Sequence, residues 1–401
     1  MKNIITFLTA AALMSIATLR AGAQTVLAGG FGTGGMGVVN GDTYTKTGTL
    51  GNGGFPFVSA SKDGSRFYAS SPTISKLYFI DVAGISFSDS MGIYMRNLAS
   101  SNEPNTLFGL TDHSLCRINT ITKTLTDSIL LGAPWQVEER PWSKEVWVSD
   151  SGKVHIVDYT SGLTATTMIL APSPYDYGGV KFTPGGTIGY KGASVSQKLF
   201  KINAVTKTVI DSISTAPLGF SNMVVSHDSS KLFVCNTNNN TVRIYNTSDL
   251  SLADSIDCGN RTPINIYRHP YRPEIWVIHH FNDSVSVFNE NTKALIRAFD
   301  IAGSPWYIAF ASAGTTSVAS DAAPPQVTLY PNPSHDLLTV AGLEAGYDIS
   351  VLSITGTKMF SRMAIGRQQS LDIRTLCSGT YLLRVTGANG AYVRSLQFEK
   401  M

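Results

Sequence analysis

Apolar and polar residues alternate along most of this chain in short runs, and clusters of Gly, Asn, Asp, Ser and Lys separate the runs. A period of two bounded by such clusters predicts β-strands. No stretch carries a sustained 3.6-residue apolar period with caps, so helices are not expected. Two segments show the pattern most clearly. "LCRINTITKTLTDSI" (115–129) and "LFKINAVTKTVIDSI" (199–213) agree at Leu, Ile-Asn, Thr-Lys-Thr and Asp-Ser-Ile. In each, Asn-x-x-Thr-Lys separates two alternating runs, which reads as a hairpin.

The hairpin recurs. "LYFIDVAGISFSDSM" (77–91), "VHIVDYTSGLTATTM" (154–168), "VRIYNTSDLSLADSI" (242–256) and "VSVFNENTKALIRAF" (285–299) fit the same template. The closing residues Met91, Ile129, Ile213, Ile256 and Phe299 lie 38, 84, 43 and 43 positions apart, and the weaker 154–168 copy falls inside the double interval. A period of about 40 to 45 residues means propeller blades or helical repeats. Strand chemistry selects blades, because two further strands precede each hairpin, as in "FVSASKDGSRFYASS" (57–71) and "QVEERPWSKEVWVSD" (136–150). A four-stranded unit of that size cannot bury both faces alone, whereas a radial array covers faces and shields edges.

Units begin near Phe55, Arg96, Pro134, Tyr175, Phe220, Pro263 and Pro305. The last supplies one strand, "WYIAFAS" (306–312). The chain opens with three, "TVLAGG" (25–30), "MGVVN" (36–40) and "KTGTL" (46–50). Together they make a seventh blade, so 306–312 is expected to close the ring against the N-terminal strands. Within this region "KLFVCNTNNNTVRIYNTSD" (231–249) and "EIWVIHHFNDSVSVFNENTK" (274–293) resemble the YVTN-type propeller repeat of bacterial and archaeal surface proteins. Phe233-Val234-Cys235-Asn236 stands at the position of that family's signature tetrapeptide.

Composition changes after Ser312. "AGTTSVASDAAPPQ" (313–326) is small and polar and ends in Pro-Pro, the character of a linker. Residues 327–401 alternate outside the long period, in six or seven short strands that suggest a small Ig-like β-sandwich. Tyr330-Pro331-Asn332-Pro333 opens it. Ile354-Thr355-Gly356-Thr357-Lys358 lies in the middle, and Leu371-Asp372-Ile373, Leu376 and Ser378-Gly379-Thr380-Tyr381 follow. These residues resemble the C-terminal sorting domain of the type IX secretion system of Bacteroidetes. The resemblance implies the type IX machinery as a partner, export across the outer membrane, removal of this domain, and a propeller secreted or attached at the cell surface.

The amino end agrees with export. Lys2, an apolar stretch from Ile4 to Leu19 and Ala21-Gly22-Ala23 compose a secretory signal peptide over residues 1–23. The expected organisation is therefore a signal peptide 1–23, a seven-bladed β-propeller 24–312, a linker 313–326 and a sorting domain 327–401, all-β throughout. No later stretch reaches the apolar length of a membrane-spanning helix. Without Lys2 and Arg20 the chain carries 29 basic and 28 acidic residues. Near neutrality with no basic block gives no reason to expect nucleic acid. The four widely spaced cysteines do not read as a disulfide framework.

Catalytic motifs with a suitable context are not found. "GGFGTGG" (29–35) precedes no helix that would bind phosphate and reads as a blade-edge loop. The common ligand position of a propeller is the mouth of its channel. The loops leading into the inner strands repeat proline with aromatics, and polar residues follow them. This nominates Phe55, Trp135, Glu138, Tyr175, Asp176, Phe220, Asn222, Asn265 and Trp306 as a channel rim, with Gln136 at the same depth. Two readings stand for the aromatics: seals between blades, or a platform for a sugar or other planar ligand. The sequence favours a non-catalytic binding protein without a cofactor, whose ligand is a glycan, a corrinoid or a protein. The alternative is a lactonase-like propeller hydrolase whose Glu138, Asn222, Asn265 and Asp176 imitate a calcium site, which makes calcium the one ion to consider. Finally, Asp-Ser-apolar triplets at Ser90, Ser128, Ser212, Ser255 and Ser284 resemble the O-glycosylation acceptor of exported Bacteroidetes proteins. Shared repeat ancestry explains them equally well.

Overall fold

The computed structural model describes residues 24–312 and 327–401, apart from 171–175, 177, 216–221, 302, 344–346, 355–356, 365 and 387–391. The expected leader and linker lie outside the described residues. Seven four-stranded antiparallel sheets follow one another up to Ser312. From the axis outwards, blade 2 consists of Phe57–Ala60, Arg66–Ser71, Lys76–Asp81 and Ser86–Met91. Blades 3 to 7 repeat that order. Their inner strands are Asn97–Ser100, Gln136–Glu139, Val180–Phe182, Met223–Val225 and Asn265–Arg268. Their outer strands are Thr124–Leu130, Thr164–Ile169, Thr208–Ser214, Leu252–Asp257 and Leu295–Asp300.

Blade 1 is composite. Pro305–Ser312 is its inner strand, and Gln24–Gly30, Met36–Asn40 and Thr45–Leu50 complete it. The two chain segments pair in register, Val26 opposite Phe310 and Ala28 opposite Ile308. Inner strands touch their neighbours from blade 1 through blade 7 and back to blade 1. The ring is closed as the leftover strands predict.

What holds it is burial between blades. Each of the seven blade–blade contacts contains one apolar cluster. Leu27, Met36, Phe67 and Ile80 lie between blades 1 and 2. Val26, Trp276, Val285 and Ile308 lie between blades 7 and 1. The second strand of a blade is covered on both faces, so Glu145–Asp150 and Glu274–His279 are buried at every residue. Each starts with Glu-x-Trp. Glu145 accepts the indole N–H of Trp147 and pairs with Arg140 and with Lys207 of the next blade at 2.9 Å each. Glu274 does the same for Trp276, pairing with Arg272 at 2.8 Å and accepting the Tyr44 hydroxyl at 2.7 Å. A buried carboxylate needs such partners.

The turn chemistry explains why one hairpin is written repeatedly. The Asn119 side chain accepts the backbone N–H groups of Ile121 and Thr122, and Asn203 and Asn289 cap their own turns identically. Lys123, Lys207 and Lys293 then take left-handed conformations, with φ of 56°, 59° and 63°. Glycine would adopt these angles more easily. Lysine stands there instead and reaches the preceding blade: Lys123 bonds Asp89, Lys293 bonds Asp254, and Lys207 bonds Glu145. Asp89 and Asp254 belong to the Asp-Ser triplets. In those triplets the Asp carboxylate also accepts the N–H of its own following Ser, as at Ser90, Ser128, Ser212 and Ser255. A register shift sits beside each of these Asp residues. The aspartate thus has a structural task in the bulged outer hairpin. Ser128, Ser212 and Ser255 are exposed and Ser90 is partly so, but Ser284 is not an acceptor candidate: it lies on the third strand of blade 7, buried.

After the propeller, Thr328–Tyr330, Leu337–Ala341 and Gln368–Asp372 form one sheet. Lys358–Met363, Asp348–Ser353, Gly379–Thr386 and Tyr392–Lys400 form the facing one. Leu338, Val340, Val351, Leu371, Leu383 and Phe398 fill the space between them, the expected Ig-like sandwich. Its motif residues bind its two ends together. The Asn332 amide donates to Gln397 O and accepts the Glu399 N–H, Tyr330 is exposed, and Pro331 and Pro333 follow cis bonds. Tyr381 stacks on Phe398 and donates to Cys377 O, and Gly379 starts its strand at a φ of 151°. Gly356 lies outside the described residues. Among the described residues, no helix is long and apolar enough to cross a membrane. Cys116 and Cys235 are buried, Cys377 is exposed, and all four thiols are free.

Two imidazoles make the fold acid-sensitive. Burial, then Arg272 and His227, hold His269 down at about 3, and its Nδ1 accepts the N–H groups of Tyr271 and Arg272. Burial and Arg261 hold His279 at about 4. Both rings are neutral in the native state and take up protons on unfolding below about pH 6.5. Their contribution is complete above that pH and is lost as pH falls toward the native values. The urea midpoint should therefore drop between pH 6.5 and 4, and His279→Gln should flatten that slope. A midpoint independent of pH over this window would refute the assignment.

Candidate functional site

Every second residue of an inner strand points into the channel. At one level these are Asn97, Gln136, Asn222, Asn265 and Tyr307, from blades 3, 4, 6, 7 and 1. They bond across the axis. Asn97 Nδ2 donates to the Tyr307 hydroxyl at 2.7 Å, and Gln136 Nε2 donates to it at 3.3 Å and to Asn222 Oδ1 at 2.9 Å. Asn222 Nδ2 continues to Ile264 O, and Asn265 Nδ2 reaches Tyr267 Oη and Trp306 O. Blade 5 contributes Gly179 here because a Cβ would lie 1.8 Å from Gln136 Oε1. Burial pushes the Tyr307 phenol up to about 12, against the two amide donors, so it stays neutral. This belt bridges the channel from blade 3 to blade 6.

Distal to the belt, toward the ends of the inner strands, is a chamber of about 210 Å³. Ser59, Glu138, Lys181 and Tyr267 line it, and Lys181 Nζ meets Glu138 Oε2 at 2.5 Å. Burial, then Tyr307, holds the Tyr267 phenol well above its ordinary value. A second space of about 340 Å³ shares Lys62, Glu138 and Glu139 with the chamber and is bounded by Pro141, Trp142, Pro184 and Arg268 of the propeller and by Arg384 and Thr386 of the C-terminal sandwich. Trp142 is fixed by its indole N–H on Pro184 O, and Arg268 by Val225 O and Ser226 O. The result is a polar pocket with cations on several sides, the Glu138 carboxylate within it, and Trp142 and Arg384 along its outer part.

The nominated residues divide accordingly. Glu138, Asn222 and Asn265 come together in the channel. Trp306 is at the proximal mouth, where Phe31 packs against it, His280 and Phe57. Trp135 lies under the Arg96 guanidinium, 5.5 Å from its ring centre. Phe55 is not a rim residue. It is buried against Tyr78 and Phe87 and seals blade 1 to blade 2. Asp176 is not a channel ligand either. Fully buried, it accepts the N–H groups of Val195 and Ser196, in the loop where the Lys191 ammonium rests on Gly178 O and Gly192 O. The four residues nominated for calcium are therefore not brought together, and among the described residues no cluster of three His, Cys, Asp or Glu side chains could hold a metal. Tyr175 and Phe220 lie outside the described residues.

Sequence reading missed Lys62, Lys181, Trp142 and Tyr267. One signal was available: a lysine inside the short apolar run "GGVKF" must have a polar cavity to enter. The Gly-rich 29–35 segment also has a defined task. It bonds back through Phe31 N–H to Ser304 O and Gly32 N–H to Gly303 O, setting the Phe31 ring at the proximal mouth. A Cβ on Gly30 would lie 2.1 Å from Gly303 O.

Residues 328–399 match the family described as the secretion system C-terminal sorting domain. No curated protein matches the chain. Solved structures similar to it are propellers. A Bacteroides fragilis protein provisionally named a 6-phosphogluconolactonase is 14% identical over 73% of this chain and 99% of its own, with a TM-score of 0.62. A Lactobacillus plantarum protein is 14% identical over 72% and 99%, with a TM-score of 0.61. The β-propeller domain of Cps50 from Myceliophteria thermophila is 13% identical over 74% and 96%, with a TM-score of 0.55. At such identities the likeness concerns the fold.

Proposed function

From a chain that its sorting domain sends through the type IX system to the cell surface or beyond, we propose a binding protein for a small hydroxylated ligand bearing a carboxylate, of the size of a sugar acid, held in the distal chamber. The observation that carries this reading is the hydrogen-bonded belt from Asn97 to Asn222. It bridges the channel and gives the chamber a polar floor. Lys181 and Lys62 supply cations beside that floor, and the floor and Glu138 supply partners for hydroxyl groups. Trp142 offers a ring face in the outer part, the usual complement to a few placed polar groups. The chamber is too small for a corrinoid.

Calorimetry on the full chain with glucuronate, galacturonate, the corresponding neutral sugars, cobalamin and calcium tests the reading. Binding of a uronate is expected, weakened at least tenfold by Lys181→Met, a loss of about 1.4 kcal/mol. Absence of heat with both uronates, or affinity unchanged in Lys181→Met, would overturn it. The relationship in fold to a named lactonase makes aldonolactones a second panel, with acid release as the readout.

A further inference from the structure

Six of the seven outer strands are built against pairing with another chain, and one is not. Register shifts interrupt the outer ladders of blades 1, 2, 3, 5, 6 and 7, at Val38/Val39, Phe79/Ile80, Arg117/Ile118, Lys201/Ile202, Ile244/Tyr245 and Val287/Phe288. Each of those six outer strands also carries a charged side chain: Lys46, Asp89, Asp127, Asp211, Asp254 and Arg297 respectively. Bulges and charges are the devices by which a sheet edge refuses a new strand. Blade 4 has neither. Its outer strand Thr164–Ile169 reads Thr-Ala-Thr-Thr-Met-Ile and pairs without a shift along its whole length, from Lys153 opposite Ile169 to Asp158 opposite Thr164. All of it is exposed except Met168, which is partly buried.

A second observation falls at the same place. The two most exposed large apolar side chains of the described residues are Leu130, 77% exposed, and Ile169, 75% exposed. They end the outer strands of the adjacent blades 3 and 4. An open, flat, uncharged, β-favouring edge thus has an apolar flank.

We propose that the blade 4 edge is a self-association surface, at which two copies of this chain pair Thr164–Ile169 antiparallel across a two-fold axis. Two features favour a second copy over a foreign strand. The segment is uncharged, so like meets like without repulsion. Reversed on itself about an axis at Thr166, the strand also sets Thr166 opposite its own symmetry mate and Thr167 opposite Ala165, with Thr164 opposite Met168. An isologous contact of this kind closes at the dimer and leaves no edge over. Five paired residues with an apolar flank make a small interface, so the association is reversible.

Sedimentation velocity on the full chain, from about 1 to 200 µM, reads the outcome as a dissociation constant in the micromolar range expected for a small interface. Hydrogen exchange reads the location. Wild-type chain should pass from monomer to dimer, with amides of 164–169 gaining protection as concentration rises. Thr166→Lys with Ile169→Lys should stay monomeric at every concentration with an unchanged melting temperature. Leu252→Lys, on a bulged edge, should dimerise as wild type does. A wild-type chain that remains monomeric throughout overturns the proposal, including the case in which that monomer takes up an extended peptide on the same edge. So does a dimer that survives in the double variant. Neither result depends on whether the chamber binds a uronate.

Discussion

A chain ended after Gly303 should melt at least about 10–20 °C below one ended at Val318, the shift expected when roughly 5 kcal/mol is lost from a domain of this size. The two truncations lack the sorting domain equally and differ by the Pro305–Ser312 strand. That strand buries Ile308, Ala309 and Ala311 and pairs along Gln24–Gly30. It also supplies Tyr307, the acceptor at the centre of the belt. Without it, blade 1 is three-stranded, two apolar clusters lose members, and an unpaired edge faces the axis. Since a domain is stable by only about 5–15 kcal/mol, most of the margin is at stake. Thermal melts of both truncations decide the matter, and coincident curves would show that closure contributes nothing.

Replacing Glu139 by leucine should cost about 3–5 kcal/mol, the range for breaking a buried polar network from one side. Its side chain is 1% exposed. The carboxylate accepts the Ser101 hydroxyl, the Asn102 N–H at 2.7 and 2.9 Å, and the Tyr159 hydroxyl at 2.6 Å, joining blade 3 to blade 4. Leucine fills most of the volume and leaves those donors unpartnered. Glutamine keeps one oxygen and should lose less. Urea denaturation of the two variants measures the difference. A leucine variant within about 1 kcal/mol of wild type, the size of one ordinary hydrogen bond, would mean that water takes over the donors.

The blades were legible because their outer hairpins are chemically strict. Asn119, Asn203 and Asn289 must cap, and the lysines four positions on must both turn left-handed and reach the preceding blade. A constraint met within a few residues leaves a repeated string. Closure was legible as an unpaired strand at each end of the repeat. The channel was legible only by depth. Alternation places Gln136, Asn222 and Asn265 on the axial face, but a bond from Gln136 to Tyr307 spans 171 positions and leaves no local trace. Where the channel is bridged therefore could not be read, and Lys62, Lys181 and Trp142 went unnoticed. Phe55 and Asp176 failed for another reason. An aromatic or a carboxylate in a loop has the same spelling whether it faces a ligand or a neighbouring backbone.

The composite blade also sets an order of events in the life of the chain. Its inner strand comes from the far end of the propeller and its other three from the near end, so the ring cannot be completed until residue 312 has emerged. Closing a loop that spans the whole domain is the slowest kind of contact to form, because its entropy must be met before any pairing rewards it. Blades 2 to 7 can assemble on local contacts as they appear, while Gln24–Gly30 waits with one edge bare. The interval of greatest exposure to misassembly is the one between the appearance of Gln24–Gly30 and the arrival of Pro305–Ser312, in whichever compartment the ring closes.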